Sequence, residues 1–171
     1  MAHAVLAHML MWGGEWEPAI AEARTALTLN PNSAFVISML GCVLGFGGYR
    51  EEALDRLRQA MRASPRDPLT WLWLQWVGAV QLFARDFDGA AATMREVVRL
   101  RPGYIMVYVS LAASLGHLRR LDEALDVLDR ARAISPEQLA RILQQERWPW
   151  NRPEDYAVRT EGLRLAMGEI A

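Results

Sequence analysis

The sequence contains no lysine, and arginine supplies all 19 of its basic residues. Twenty acidic residues balance them, so the formal net charge is -1 at pH 7. A chain with this balance offers no electrostatic surface for a phosphate backbone or an anionic bilayer, and we expect neither nucleic acid nor a membrane among its partners. The complete bias toward arginine is typical of a GC-rich genome and favours a bacterial source.

Cysteine and histidine are almost as scarce. Cys42 is the single cysteine and cannot form an internal disulfide, which predicts a reducing, cytoplasmic environment. Among the three histidines, His3 and His8 are five residues apart and do not share a helical face. No Cys-x-x-Cys pair occurs either. We therefore predict no metal site and no bound cofactor.

The sequence also lacks the marks of a membrane span and of a catalytic site. Its most apolar stretch, 68–84, is shorter than the roughly 20 residues that a spanning helix needs. The glycine-rich segment 45–48 does not end in the Gly-Lys-Ser/Thr of a phosphate loop. Carboxylate pairs such as Glu51 and Glu52 open predicted helices, where negative charge complements the helix dipole. These observations predict a protein that is not an enzyme.

An internal repeat is marked by proline. Pro31, Pro65, Pro102 and Pro136 each follow an amphipathic run, at spacings of 34, 37 and 34 residues. Small or short side chains recur 24, 12 and 5 residues before these prolines, at Ala7, Gly41, Gly78 and Ala112, at Ala19, Ala53, Ala90 and Ala124, and at Ala26, Ala60, Val97 and Ala131. Because two helices need small side chains where their backbones approach closely, the pattern predicts one pair of helices in each repeat.

These hairpins resemble tetratricopeptide repeats. The resemblance implies an all-α fold, a right-handed solenoid of four hairpins at about 1–31, 32–65, 66–102 and 103–135. Residues 136–171 are predicted to form a helical cap that covers the last hairpin. Its inward side chains are expected to include Leu139, Ile142, Leu143, Tyr156, Leu163 and Met167. Trp148 and Pro149 are expected to interrupt it, and a final helix from Asn151 or Arg152 to about Met167 is expected to lie against the fourth repeat or to fold back toward the concave groove.

The resemblance also implies where a partner binds. In tetratricopeptide proteins the second, fifth, ninth, twelfth and thirteenth positions of each repeat face the concave groove. None of the twenty corresponding positions here is Lys, Arg, Asp or Glu, so the implied groove is apolar and lacks the clamp with which chaperone-binding relatives hold a peptide carboxylate. We take as partner-binding residues His8, Met11, Trp12, Phe35, Ser38, Cys42, Phe46, Gln75, Leu82, Phe83, Met106, Val109 and His117.

Two interpretations stay open at this point. Apolar residues at helical spacing are also typical of core packing, so Leu82 and Val109 fit either role. The ending, 152–156 and 161–167, is similar to that of bacterial signalling proteins that carry such repeats behind a class III adenylate/guanylate cyclase or a winged-helix domain. It implies a regulatory scaffold that binds a protein segment as part of a longer protein. The alternative is a self-association module that dimerises such a parent, because a large apolar trough rarely stays empty.

Overall fold

The computed structural model describes residues 1–144 and 150–168. This part of the chain forms ten helices and no strand, which confirms the all-α prediction. The helices are α1 (Ala2–Gly13), α2 (Trp16–Leu29), α3 (Ala34–Phe46), α4 (Arg50–Ala63), α5 (Thr70–Phe83), α6 (Phe87–Leu100), α7 (Ile105–His117), α8 (Leu121–Ile134), α9 (Pro136–Gln144) and α10 (Pro153–Ala166). The first eight pack as four consecutive pairs, stacked into a solenoid.

The same backbone turn closes all four hairpins. Gly14 and Gly48 adopt a left-handed conformation at φ 81° and 93°, and Arg85 and Arg119 adopt it at φ 61° and 59°. Glycine takes this conformation freely, whereas it costs an arginine roughly 1–2 kcal/mol. The turn is held each time by a backbone N–H that donates to the carbonyl five residues earlier, from Glu15 to Leu10, Tyr49 to Leu44, Asp86 to Gln81 and Arg120 to Leu115.

The small residues that mark the repeat lie where the paired helices touch. A Cβ added to Gly41 would come within 2.8 Å of Leu57 Cγ, and one added to Gly78 within 2.7 Å of Met94 Cε. Ala19 and its three repeat equivalents are fully buried. The register read from the sequence therefore corresponds to the line of closest approach inside each hairpin.

The tail both caps the solenoid and corrects two details of the prediction. Helix α9 packs on α7 and α8 through the buried side chains of Leu139 and Ile142, whereas Leu143 is exposed. One residue further along a helix is rotated by about 100°, so Leu143 falls outside this narrow stripe. Met167 lies after the end of α10 and is also exposed. The expected break at Trp148 and Pro149 lies outside the described residues.

A candidate partner-binding pocket beneath the tail

Helix α10 lies along α7, on the positions that the resemblance assigned to the groove of the fourth repeat. Two glycines allow this contact: a Cβ on Gly116 would collide with the backbone of Gly162, and a Cβ on Gly162 would collide with the carbonyl of Ala113. His117 Nε2 donates to the backbone oxygen of Val158 at 2.7 Å. The chain's own tail therefore occupies the groove at this end of the solenoid.

The segment before α10 is anchored to the second hairpin. The backbone N–H of Asn151 donates to the carbonyl of Phe46 at 3.1 Å, and its side-chain amide donates to the carbonyl of Gly47 at 3.4 Å. The guanidinium of Arg50 donates to the carboxylate of Asp155, which is fully buried. Burial raises the pKa of Asp155, and the positive charge of Arg50 opposes that rise. These bonds join residues about one hundred positions apart in the sequence.

Aromatic rings continue from the groove into the tail. Phe83 contacts Phe46 edge to face with ring centroids 6.1 Å apart, and Trp150 contacts Phe83 in the same way at 5.1 Å. The guanidinium of Arg159 lies over Trp150, 5.6 Å from the ring centroid. Burial lowers the pKa of Arg159 to about 10, so this side chain still carries a positive charge at neutral pH.

A cavity of about 170 Å³ remains between the tail and the first helices of the four hairpins, and we call it the sub-tail pocket. Its wall combines the first helices of all four repeats with two tail residues. It is lined by His8, Met11, Trp12, Cys42, Phe46, Gln75, Trp76, Ala79, Leu82, Phe83, Tyr104, Met106, Ser110, Trp150 and Arg159. An apolar cavity of about 150 Å³ is large enough to admit a benzene-sized group.

Nine of the thirteen sequence-predicted residues line this pocket, and four do not. Ser38 is fully buried and donates to the carbonyl of Phe35 within its own helix at 2.8 Å. Phe35 is half-buried against the core of the first three repeats. Val109 is fully buried and packs in the core. His117 contacts the tail. These four lie away from the sub-tail pocket.

Six lining residues are absent from the set of thirteen. Ala79 is one of the twenty groove positions that the resemblance implies, and sequence reasoning missed the other five, which are Trp76, Tyr104, Ser110, Trp150 and Arg159. Two of them belong to the tail, whose position depends on contacts with α7 and α3. The other three stand at positions outside the five groove positions taken from the resemblance. A conspicuous density of tryptophan in α5 was the one available signal, and it equally fits core packing.

The polar groups of the pocket are few. Trp12 Nε1 donates to His8 Nε2 at 3.2 Å, and burial lowers the pKa of His8. The carbonyl oxygen of the Gln75 side chain is buried and has no hydrogen-bond partner among the described residues. Burial raises the pKa of the Cys42 thiol, so this group stays protonated and is a poor nucleophile.

Within residues 1–144 and 150–168, no three His, Cys, Asp or Glu side chains come together as metal ligands. Over the same ranges, no helix combines the length and apolar character needed to cross a membrane.

Comparison with known proteins identifies the fold. No protein-family model matches the sequence, and a search of curated proteins finds no significant similarity. Among solved structures, MamA from Desulfovibrio magneticus is 17% identical over 98% of this chain and 92% of its own, with a TM-score of 0.68. YrrB, described as a tetratricopeptide protein with an unusual peptide-binding site, is 19% identical over 99% and 90%, with a TM-score of 0.64.

A third similar structure belongs to an enzyme. The O-GlcNAc transferase of Thermobaculum terrenum is 21% identical over 77% of this chain but only 25% of its own length, with a TM-score of 0.68. All three identities are too low to transfer an activity or a ligand. They establish that this chain has the fold of tetratricopeptide-repeat proteins.

Proposed function

We propose that this chain is a non-catalytic scaffold that binds a protein segment by receiving an apolar side chain in the sub-tail pocket. The observation that carries the proposal is an apolar cavity in the concave surface that stays open although the tail fills the groove beside it. Small-molecule and peptide sites are characteristically concave, apolar and equipped with a few polar groups, and this pocket has that composition.

The pocket favours a peptide over a purely hydrocarbon ligand. The buried Gln75 oxygen accepts no hydrogen bond from the described part of the chain, and a buried acceptor without a partner costs about 1–3 kcal/mol. A peptide supplies backbone N–H groups that can satisfy this oxygen while its side chain contacts the rings of Phe46 and Phe83. Trp12, which is 53% exposed, stands at the rim and can close over the bound segment.

Replacing Trp12 with serine tests this proposal. Peptides are first selected from a random display library on the wild-type chain, and their affinity is then measured by fluorescence anisotropy. Because truncating an aromatic residue that anchors such an interface costs about 1 kcal/mol or more, we expect the variant to bind the selected peptides about fivefold more weakly or worse. Because the Trp12 side chain is half exposed, we expect the substitution to leave the fold intact.

The matched control is Tyr49→Ser, which removes an aromatic ring of almost equal exposure, 54%, outside the pocket. The control should bind the peptides as the wild type does. Equal binding by the Trp12 variant and the wild type would rule out the sub-tail pocket as the peptide site, and so would a selection that returns no binding peptide.

The pH dependence of stability should report on His8. Burial lowers its pKa below the ordinary value of 6.5. Between the folded pKa and 6.5 the unfolded chain binds a proton that the folded chain does not, so the folded state loses stability as pH falls through this interval. We expect the free energy of unfolding of the wild type, relative to His8→Gln, to decrease as pH falls below 6.5 in urea titrations. If the difference in the free energy of unfolding between the wild type and His8→Gln does not change with pH, the His8 imidazole is fully solvated and the expected effect of burial is contradicted.

The parent and the compartment also belong to this proposal. The likeness of the ending to repeat-bearing cyclases and winged-helix regulators supports a regulatory region of a larger bacterial signalling protein. A buried, unpaired Cys42 is consistent with a reducing cytoplasm. Sequencing the gene upstream of Met1 is the direct test: an adjoining cyclase or winged-helix domain in the same reading frame supports this parent, and any other coding context contradicts it.

A further inference from the structure

A stripe of apolar side chains on α1 is exposed although its counterparts in every later repeat are buried. Ala2, Val5, Leu6 and Met9 stand at i, i+3, i+4 and i+7 and so share one helical face, which we call the N-terminal stripe. Val5 is 49% exposed, Leu6 43% and Met9 65%. None of these four residues lines the sub-tail pocket.

The repeat itself provides the comparison. Shifting the four positions by the repeat spacings leads to twelve residues in α3, α5 and α7, and each of these is at most 8% exposed. They are Val36, Met39, Leu40 and Val43 in α3, Trp73, Trp76, Val77 and Val80 in α5, and Val107, Ser110, Leu111 and Ser114 in α7. These positions are buried in the three later repeats and are apolar in the first. We therefore infer that another surface covers the N-terminal stripe.

The established contacts show what kind of element covers such a stripe. Helix α3 packs against both helices of the first hairpin, and α5 packs against α3 as well as α4. A first helix of one repeat therefore lies on the first helix of the next. The first helix of another hairpin can therefore cover the N-terminal stripe. Helix α1 of a second molecule is suitable because its own N-terminal stripe is exposed.

Charge and topology favour that second molecule in a two-fold arrangement. Helix α1 contains no Asp, Glu or Arg, so two copies of it can be apposed without bringing like charges together. The second helices α2, α4 and α6 already pack on a following helix, and α8 is covered by α9. A head-to-tail contact would use that far end, where the charged side chains of Glu137 and Arg141 are exposed and would lose water against the uncharged stripe.

We propose that two copies of this chain associate through their N-terminal stripes about a two-fold axis. A 12-residue helix is about 18 Å long, so the contact is smaller than a standard interface. The dimer therefore dissociates on dilution. This inference goes beyond the proposed peptide binding, and it does not depend on the sub-tail pocket.

Light scattering coupled to size-exclusion chromatography, from micromolar to near-millimolar concentration, tests the proposal with the wild type and Met9→Glu. The wild type should approach twice the chain mass as concentration rises, and Met9→Glu should stay at the mass of one chain throughout. The matched control is Leu125→Glu, which alters a 47% exposed leucine in α8 and should dimerise as the wild type does. A wild-type monomer at every concentration overturns the proposal. An unaffected Met9→Glu dimer, or a disrupted Leu125→Glu dimer, overturns it equally.

Cysteine cross-linking tests the symmetry. Cys42 is buried and its pKa is raised, so it contributes little background. Near a two-fold axis a residue faces its own counterpart, so at least one of Val5→Cys, Leu6→Cys and Met9→Cys should form a disulfide-linked dimer under mild oxidation. Leu125→Cys should not. Absence of cross-linking from all three, or equal cross-linking from Leu125→Cys, contradicts the two-fold arrangement.

Discussion

Replacing Gly162 with alanine is expected to lower the free energy of unfolding by about 1–3 kcal/mol, as overpacked contacts do. The added Cβ meets the backbone of Ala113 and comes within 2.7 Å of the His117 ring, so α10 has to move away from α7. A backbone obstacle cannot rotate aside as a flexible side chain does. Urea unfolding followed by tryptophan fluorescence measures the loss, because Trp150 lies in the contact that α10 holds in place.

Gly103→Ala is the control for this substitution, since within the described ranges no heavy atom beyond its chain neighbours lies within 4 Å of the added Cβ. It should change the stability by less than about 0.5 kcal/mol. Limited proteolysis should cut the tail of the Gly162 variant faster than that of the control. Equal stability and equal proteolysis of the two variants would mean that α10 does not pack on α7 as described.

Replacing Arg50 with alanine is expected to cost about 3 kcal/mol at neutral pH, at the lower end for breaking a buried ion pair because Arg50 itself is 27% exposed. The loss follows from the carboxylate of Asp155, which stays fully buried without its partner. Without Arg50 the folded-state pKa of Asp155 rises further above its unfolded value. The folded chain then holds a proton that the unfolded chain releases, so the destabilisation should grow as pH rises through this interval.

Adding Asp155→Asn to Arg50→Ala should recover part of the lost stability, because an amide removes the buried charge while keeping the shape. The control pair is Arg132 and Asp129, both more than 60% exposed, where Arg132→Ala should cost less than about 1 kcal/mol. Chemical denaturation of the wild type and these three variants at several pH values measures all of these differences. A cost that does not depend on pH would refute the assignment of a buried charge to Asp155.

Gly162→Ala and Arg50→Ala both affect the tail, which forms one wall of the sub-tail pocket. Trp150 forms part of the wall, and its position depends on the hydrogen bonds of Asn151 to the second hairpin and on the packing of α10 against α7. Release of the tail removes that wall and opens the groove over α7. Peptides selected on the wild type should therefore bind the Gly162→Ala variant more weakly, although no residue of the first three repeats has changed.

The sequence by itself determined the repeat architecture. Prolines at a period near 34 and small residues in register, such as Ala19 and its equivalents, carry that information because each hairpin packs mainly on its neighbours in sequence. Tail details were less accessible: Leu143 and Met167 were assigned inward and are exposed. Leu143 neighbours the buried Ile142 in α9, and only the packing partner of this short helix selects which of its apolar residues face inward, whereas Met167 lies beyond the end of α10.

Tertiary structure alone decided what the groove contains. Sequence reasoning predicted an apolar concave surface along four repeats. The structure places α10 on the C-terminal part of α7 and leaves a cavity lined by the first helices of all four repeats. That outcome depends on Gly116 meeting Gly162 and on Arg50 meeting Asp155, pairs separated by 46 and 105 residues. Local periodicity reports which side of a helix is buried, because helix geometry repeats every 3.6 residues. Local periodicity does not reveal which distant segment covers the apolar side of a helix. That outcome depends on the difference in contact free energy between alternative packing surfaces.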